Sequence, residues 1–233
     1  MNDQVTREET AEILRQAELA LAAEGDFVEL GCYKGATSVL LGKLLRSHDT
    51  KASPATETVF SDQISDWSIK VQYRPASKTL RKHLWIYDSF AGLPAKTPED
   101  ASGAGANFQE GELLVTKREV IDKLRKNGLK TSSRPDPSQS SVIVKKAWFD
   151  QLQPQDLPEQ IAFAFCDGDL YDSIKTSLQL VAPRLAPKGI IIVHDYNNPE
   201  LPGSARAVDE FLRQHSDYHL QIRHTLAIIT HEC

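Results

Sequence analysis

The sequence predicts an α/β fold built around an open, mostly parallel β-sheet. Short, nearly continuous apolar segments alternate with amphipathic helical stretches, and several of the apolar segments run directly into acidic residues. The last two apolar segments are separated by a short polar turn, which predicts an antiparallel hairpin. Near-continuous apolar strands between helices are typical of parallel sheets. Because such sheets bind ligands at the carboxyl ends of their strands, the acidic residues there mark the expected site.

The individual elements follow from hydrophobic periodicity and from their end signals. The first helix has an apolar stripe that includes Ile13 and Leu14, and Thr6 with Glu9 predicts a capping box at its start. The predicted helices cover 6–23, 36–47, 116–128, 172–185 and 203–215. The predicted strands are 26–30, 84–88, 141–148, 161–166 and 188–195, followed by the hairpin at 217–232.

Length and composition indicate one domain that spans residues 1–233, with 40% apolar residues and a net charge of −5. We expect a polar inserted arm at about 47–82, which contains the strand-like segment WSIKVQY, and a lid-like loop at about 91–112. The sequence has no basic run for nucleic acid or a membrane surface, and no apolar stretch approaches the length of a membrane span. Cys32, Cys166 and Cys233 lack disulfide or metal spacing, which favours reduced thiols and a cytoplasmic location.

The first candidate motif is VELGCYKGATSV, at the turn between the first strand and its helix. Gly31 and Gly35 allow the backbone to pass close to a ligand, and the helix start offers free N–H groups. Glu29 precedes the first glycine and would repel a pyrophosphate, whereas a ligand with an amino group, such as S-adenosylmethionine, would suit it. The alternative is a tight turn without a ligand.

The second motif, WIYDSFAGLP, places Asp88 at the end of the second strand. A carboxylate there can accept hydrogen bonds from two adjacent ribose hydroxyls of a nucleotide cofactor. Phe90 and Trp148 are candidates to flank the adenine, although Trp148 would also suit a core position. The alternative role for Asp88 is to cap its own loop.

The third motif pairs two neighbouring strand ends: Asp167 follows one strand, and the His194–Asp195 dipeptide follows the next. Carboxylate and imidazole ligands that converge in this way suit a divalent cation. The alternative is that Asp167 and Asp195 cap the helices that follow. Asp169 and Asp172 are interpreted as such caps for the helix over 173–182.

Five segments together resemble the macrocin O-methyltransferase family: GDFVELGCYKGATS, YDSFAGLP, KKAWF, DGDLYDS, and GIIIVHDYNNP with ARAVDEF. The resemblance implies a class I methyltransferase (Rossmann-like) fold with a seven-stranded sheet in the order 3-2-1-4-5-7-6. It also implies S-adenosyl-L-methionine as cofactor, a sugar-containing or polyhydroxylated acceptor from natural-product biosynthesis, and self-association. The family's metal, usually magnesium, would lie at Asp167, His194 and Asp195, and Asp167 would serve as general base.

One departure concerns the metal, because the family has two adjacent aspartates where this chain has His194–Asp195. An imidazole ligand favours manganese or another transition metal over magnesium. The complete predicted cofactor-binding set is Glu29, Gly31, Tyr33, Gly35, Ser38, Asp88, Ser89, Phe90, Trp148 and Asp167.

Three alternatives stay open from the sequence. A nicotinamide-dependent oxidoreductase would also use Asp88 for a ribose, although Glu29 and a missing third glycine argue against it. A non-catalytic homologue would keep the cofactor pocket without the chemistry. A methyltransferase acting on nitrogen or carbon would share the same cofactor motifs.

Overall fold

A computed structural model describes residues 4–50, 56–62, 67–73, 81–102 and 108–231. The helices are α1 (Arg7–Ala20), α2 (Ala36–Thr50), α3 (Lys117–Lys126), α4 (Tyr171–Val181) and α5 (Pro202–Gln214). The strands of the main sheet are β1 (Asp26–Leu30), β4 (Leu84–Asp88), β5 (Thr131–Ser132), β6 (Val142–Lys146), β7 (Ile161–Cys166), β8 (Leu185–Val193), β9 (Tyr218–Arg223) and β10 (Leu226–His231). A separate antiparallel pair is formed by β2 (Thr56–Asp62) and β3 (Trp67–Tyr73).

The main sheet has eight strands within the described residues, in the order β5-β6-β4-β1-β7-β8-β10-β9. The first six strands in this order, β5-β6-β4-β1-β7-β8, pair in parallel. Strand β10 pairs antiparallel to both β8 and β9. The order 3-2-1-4-5-7-6 is therefore confirmed for seven strands. The eighth, β5, is a two-residue edge strand, too short for its sequence to show a period.

Helices cover both faces of the sheet, because alternate side chains of each strand point to opposite sides. Phe163 and Phe165 of β7 pack in the apolar cluster that contains α1, α2 and α3. Ala164 and Cys166 of the same strand pack in the cluster that contains α4 and α5. The layers are those of an α/β fold around a mostly parallel sheet, as predicted.

Helix and strand boundaries agree closely with the predicted elements. Thr6 caps α1, and the predicted capping box with Glu9 is formed in both directions. Strands β1, β4 and β7 have the predicted bounds, and α3 ends just before Gly128, which has φ +74°. The predicted arm contributes β2 and β3, of which β3 is the segment WSIKVQY. The other residues of that arm from 51 to 80, and residues 103–107 of the predicted lid, lie outside the described residues.

In the described part of the chain, no helix is both long enough and apolar enough to cross a membrane. The feature that positions the site is the carboxyl edge of the parallel strands. There β1, β4, β6, β7 and β8 end side by side, and each is followed by a loop that carries polar residues.

Candidate active site

A cavity of about 590 Å³ opens at the carboxyl edge of the sheet, between the loops that follow β1, β4, β6 and β7. This volume lies within the range that small-molecule and cofactor sites occupy. The predicted residues that line it are Gly31, Tyr33, Asp88, Ser89, Trp148 and Asp167. The other predicted residues are outside its lining, namely Glu29, Gly35, Ser38, Phe90, His194 and Asp195.

Gly31 brings the turn after β1 into close contact with the loop after β7. Its φ is +89°, and a Cβ atom added to it would lie 2.0 Å from the carbonyl oxygen of Asp167. The Asp167 N–H donates to the carbonyl of Leu30 at 2.8 Å, so the two strand ends are hydrogen-bonded directly before the glycine. Only glycine fits here, because both the backbone angle and the available space exclude a side chain.

Asp88 holds the shape of the turn after β1. Its Oδ2 accepts the N–H groups of Cys32 at 2.9 Å and Tyr33 at 3.3 Å, and its Oδ1 accepts that of Phe90 at 2.7 Å. Two carboxylate oxygens offer about four acceptor positions, so three are already used. Asp88 lines the cavity as predicted, but one acceptor position remains where the sequence analysis expected bonds to two ribose hydroxyls.

Glu29 lies beneath this turn as a fully buried carboxyl group. The Ser38 hydroxyl donates to its Oε2 at 2.5 Å, while Oε1 has no hydrogen-bond partner. Burial raises the pKa of Glu29 to about 8, and the charges of Asp167 and Asp88 add to that rise. Glu29 is fully buried and lies outside the cavity lining, so the predicted contact between this carboxyl group and a cofactor is not offered by the cavity itself.

The two aromatic candidates have different surroundings. Trp148 follows β6 and lines the cavity, where its indole ring could cover a flat ring system of a ligand. Phe90, in contrast, is buried in the core cluster on the α1–α3 face and has a φ of +48°. We therefore expect Trp148, and not Phe90, to contact an adenine ring. Gly35 and Ser38 support the start of α2 beneath the cavity.

Asp167, His194 and Asp195 come together as predicted, at the ends of the adjacent strands β7 and β8. The Nδ1 atom of His194 lies 2.9 Å from Asp167 Oδ1 and 2.9 Å from Asp195 Oδ2. Burial alone lowers the pKa of His194, but the neighbouring carboxylates, Asp167 first among them, outweigh it and raise that pKa well above its usual value. Asp167 is also the member of the group that reaches the cavity.

The donor atoms of this group also fit a divalent cation. One ligand atom from each of the three residues lies within 4.8 Å of the others. The two distances of 2.9 Å are those of a hydrogen bond or ion pair between the imidazole and each aspartate, and a cation would take the place of the proton at Nδ1. Two carboxylates and an imidazole form a mixed oxygen and nitrogen set that suits manganese or zinc at least as well as magnesium.

Two aspartates near the site have roles that the sequence analysis did not assign. Asp100, in a short 3₁₀ helix at Pro98–Asp100, accepts the N–H of Tyr171 at 2.7 Å and so caps α4. Neither Asp169 nor Asp172 is the N-cap of α4, whose N-cap residue Leu170 makes no side-chain bond, but Asp172 does lie in the first turn of the helix as expected. No local sequence pattern could predict the role of Asp100, because Asp100 and Tyr171 are 71 positions apart in the sequence.

Asp169 lines the cavity instead, with a φ of +60°. Burial raises its pKa well above the usual value, and the charges of Asp167 and Asp195 raise it further. The cavity as a whole is strongly acidic: its described lining contains seven carboxyl residues and no lysine, arginine or histidine. The acidic residues are Asp88, Asp100, Glu110, Asp150, Asp167, Asp169 and Asp172.

Comparison with known proteins identifies the family. The sequence profile of Macrocin-O-methyltransferase (TylF) matches residues 72–226, which is more than half of the chain. The chain belongs to this family. The match includes Asp88, Trp148, Asp167, His194 and Asp195, whereas Glu29 and Gly31 precede it.

Curated relatives with similar sequences include three O-methyltransferases of Streptomyces and Micromonospora species. The 8-demethyl-8-(2,3-dimethoxy-alpha-L-rhamnosyl)-tetracenomycin-C 4'-O-methyltransferase of Streptomyces olivaceus is 25% identical over 76% of this chain and 55% of its own length. Demethyldecarbamoylnovobiocin O-methyltransferase of Streptomyces niveus is 25% identical over 80% of this chain and 58% of its own. Mycinamicin III 3''-O-methyltransferase of Micromonospora griseorubida is 23% identical over 82% of this chain and 61% of its own length. The chain thus spans less than two thirds of these relatives' length.

Solved structures with a similar fold include the O-methyltransferase NovP, with a TM-score of 0.65 and 21% identity over 95% of this chain and 79% of that one. The calicheamicin methyltransferase CalS11 has a TM-score of 0.66 and 17% identity over 97% of this chain and 80% of that one. These similarities establish the class I methyltransferase fold.

Proposed function

We propose that this chain is an S-adenosylmethionine-dependent O-methyltransferase that methylates a hydroxyl group of a sugar-containing small molecule with the help of a divalent cation. The observation that carries the proposal is the meeting of two sets of residues in one cavity. The first set contains the Gly31 turn, Asp88 and Trp148. The second set contains Asp167, which contacts His194, and Asp195, which contacts the same imidazole. Family membership supports the same reaction class.

Each part of the cavity has a chemical task in this reaction. When bound, S-adenosylmethionine supplies an electrophilic methyl group, and a divalent cation held by Asp167, His194 and Asp195 lowers the pKa of a nearby hydroxyl. Asp88 and the N–H groups it holds fix the turn against which the cofactor would bind, and Trp148 would contact its adenine. Asp167 accepts the proton of the acceptor hydroxyl, since its carboxylate is partly exposed in the cavity.

The acceptor is best described as a glycoside without phosphate groups. A cavity lined by carboxylates of one sign repels anions and attracts cationic or neutral ligands. S-adenosylmethionine carries a sulfonium charge, which suits this surface. The relatives from Streptomyces and Micromonospora are named for antibiotic substrates, whereas the structure of CalS11 is described as a TDP-rhamnose 3'-O-methyltransferase. The acidic lining favours the first kind of acceptor for this chain.

The test begins with calorimetric titration of metal-stripped protein with S-adenosylhomocysteine, with and without Mn²⁺, using NAD as the comparison ligand. We expect micromolar binding of S-adenosylhomocysteine, about −8 kcal/mol, and none of NAD. Turnover of S-adenosylmethionine is then measured with neutral glycosides, amino-sugar glycosides and nucleotide-linked sugars. Absence of S-adenosylhomocysteine binding would reject the proposal. Binding without turnover of any acceptor would favour the non-catalytic homologue, and preference for nucleotide-linked sugars would reject the acceptor class.

A further inference from the structure

We infer that Glu9 is a positioning residue that fixes the orientation and tautomer of the His194 ring in the candidate cation site. The inference rests on the proposed function, because it assigns a role to a residue toward the cation of that site. Glu9 belongs to α1, far from the strand ends in sequence, and no sequence motif of the site includes it.

The contact is made inside the protein, away from the cavity. Glu9 Oε2 lies 3.6 Å from His194 Nε2, and both side chains are about 4% exposed. The opposite ring nitrogen, Nδ1, faces Asp167 and Asp195 at 2.9 Å each. The imidazole thus lies between the Glu9 carboxylate, at ion-pair distance from Nε2, and the two candidate cation ligands at Nδ1.

Glu9 is itself held in place from two further directions. Its Oε2 accepts the N–H and the hydroxyl of Thr6 at 2.8 and 2.7 Å, and its Oε1 accepts the hydroxyl of Thr225 in the turn between β9 and β10. The carbonyl of Thr225 accepts the N–H of Tyr196, two residues beyond His194, at 2.7 Å. A carboxylate anchored in this way can fix its partner's orientation with little motion of its own.

Histidine needs such a partner when it binds a cation. Either ring nitrogen can carry the proton, and a cation ligand must leave one nitrogen free of it. Histidine ligands therefore usually donate the other ring N–H to a carboxylate, which fixes the tautomer and the ring plane. Glu9 at Nε2 leaves Nδ1 as the ligand atom. An aspartate at position 194 would need no such partner, because a carboxylate has no tautomers.

The competing explanation is that Glu9 serves only the capping box of α1. The chain offers a matched control in α3, where Thr116 and Glu119 form the same box at an exposed surface. There Glu119 Oε2 accepts the N–H and the hydroxyl of Thr116 at 2.8 and 2.6 Å. Glutamine also completes a capping box, so Glu9→Gln and Glu119→Gln make the same change in the two boxes.

The experiment measures Mn²⁺ affinity by calorimetry on the metal-stripped full chain, together with S-adenosylhomocysteine affinity without metal. We expect Glu9→Gln to weaken Mn²⁺ binding 10- to 100-fold, the usual effect of losing an outer partner of a metal ligand. Glu119→Gln should leave Mn²⁺ affinity unchanged, and all three proteins should bind S-adenosylhomocysteine alike. That last measurement tests the proposed function separately.

A second pair of variants separates positioning from general damage to the fold. In a His194→Asn background, adding Glu9→Gln should leave the remaining Mn²⁺ affinity unchanged, since no ring is left to orient. The inference is overturned if Glu9→Gln binds Mn²⁺ as tightly as the parent. It is also overturned if its effect persists without His194, or if the parent protein does not bind Mn²⁺.

Discussion

The two halves of the candidate site hold their carboxyl groups in different ways, although they adjoin on one sheet edge. In the β1–β4 half, Asp88 is bound by three backbone N–H groups and Glu29 by a serine hydroxyl. In the β7–β8 half, Asp167 and Asp195 face the imidazole of His194.

Backbone N–H groups do not titrate near neutral pH, so the hydrogen bonds that hold Asp88 in the β1–β4 half are formed without any ligand. The β7–β8 half depends on one side chain that can hold either a proton or a cation. This difference suits the proposed reaction, in which the β1–β4 half binds the cofactor and the β7–β8 half accepts a proton from the acceptor hydroxyl.

Gly31→Ala should produce the largest effect, because Gly31 is the contact between the two halves. A Cβ there would overlap the carbonyl of Asp167, and the left-handed backbone adds about 1–2 kcal/mol. We expect a loss of several kcal/mol in the free energy of unfolding, with S-adenosylhomocysteine binding abolished. The control is Gly111→Ala, where φ is +80° but no atom of the described residues lies within 4 Å of the added Cβ. Urea unfolding should separate the two variants; equal losses would show that overlap with Asp167 is unimportant.

Asp167→Asn tests the β7–β8 half alone. We expect kcat to fall about 10²- to 10⁴-fold, the usual contribution of a general base, while S-adenosylhomocysteine affinity changes little. The comparison variant is Asp122→Asn on the exposed face of α3, which should keep full turnover. Turnover and calorimetry on the same preparations check both. An Asp167→Asn protein that kept its kcat would remove this residue from the mechanism.

Glu29→Gln tests whether the buried acid of the β1–β4 half carries a proton. Because burial raises the pKa of Glu29 to about 8, the folded state binds this proton more tightly than the unfolded chain does. Its contribution to stability is present below pH about 4.5 and is lost as pH rises through about 8. As pH rises from 5 to 8, the free energy of unfolding of the parent should fall relative to that of the glutamine variant. We expect a total difference of a few kcal/mol, at most about 1.4 kcal/mol for each pH unit.

Urea midpoints at four pH values from 5 to 8 measure this difference. The control is the surface variant Glu119→Gln, because hydrogen bonds from Thr116 lower the pKa of Glu119. Its urea midpoint should change with pH in parallel with that of the parent over this range. Parallel curves for Glu29→Gln as well would mean that Glu29 titrates as an ordinary acid.

Asp88→Asn should have the smallest effect. An amide keeps one acceptor oxygen but places a donor opposite an N–H group, so the turn at Cys32 and Tyr33 loses part of its support. We expect S-adenosylhomocysteine affinity to fall about tenfold, equivalent to 1.4 kcal/mol, with Mn²⁺ affinity unchanged. A change in Mn²⁺ affinity would show that Asp88 also acts on the β7–β8 half.

Most of the fold could be predicted from the sequence, because buried parallel strands are short, apolar and bounded by polar turns. Strands β1, β4 and β7 show this pattern in full, and Thr6 with Glu9 marks the start of α1. The strand ends also showed that Asp167, His194 and Asp195 would meet, since parallel neighbours end at one edge. The two-residue β5 had too few residues to show a period.

The sequence could not reveal which side chains face the cavity. Phe90 and Asp88 lie two positions apart, yet one enters the core and the other lines the cavity, because Phe90 has a left-handed backbone. Asp100 and Glu9 act on partners distant in the chain, so no local spacing marks them. Hydrogen bonds of this kind depend on the packed structure and not on sequence neighbours.

The bond between Thr225 and Glu9 joins positions 216 residues apart and has a consequence for the order of folding. Contacts between distant positions form late, because a long loop must close before they stabilise the chain. The β9–β10 turn is also synthesised last of the parts that meet at His194, so during translation Glu9 has no fixed partner on that side. We expect pulse-labelled hydrogen exchange to show protection of β1 and β4 before β10 and the α1 start. The β1–β4 half would then reach its final shape before the β7–β8 half.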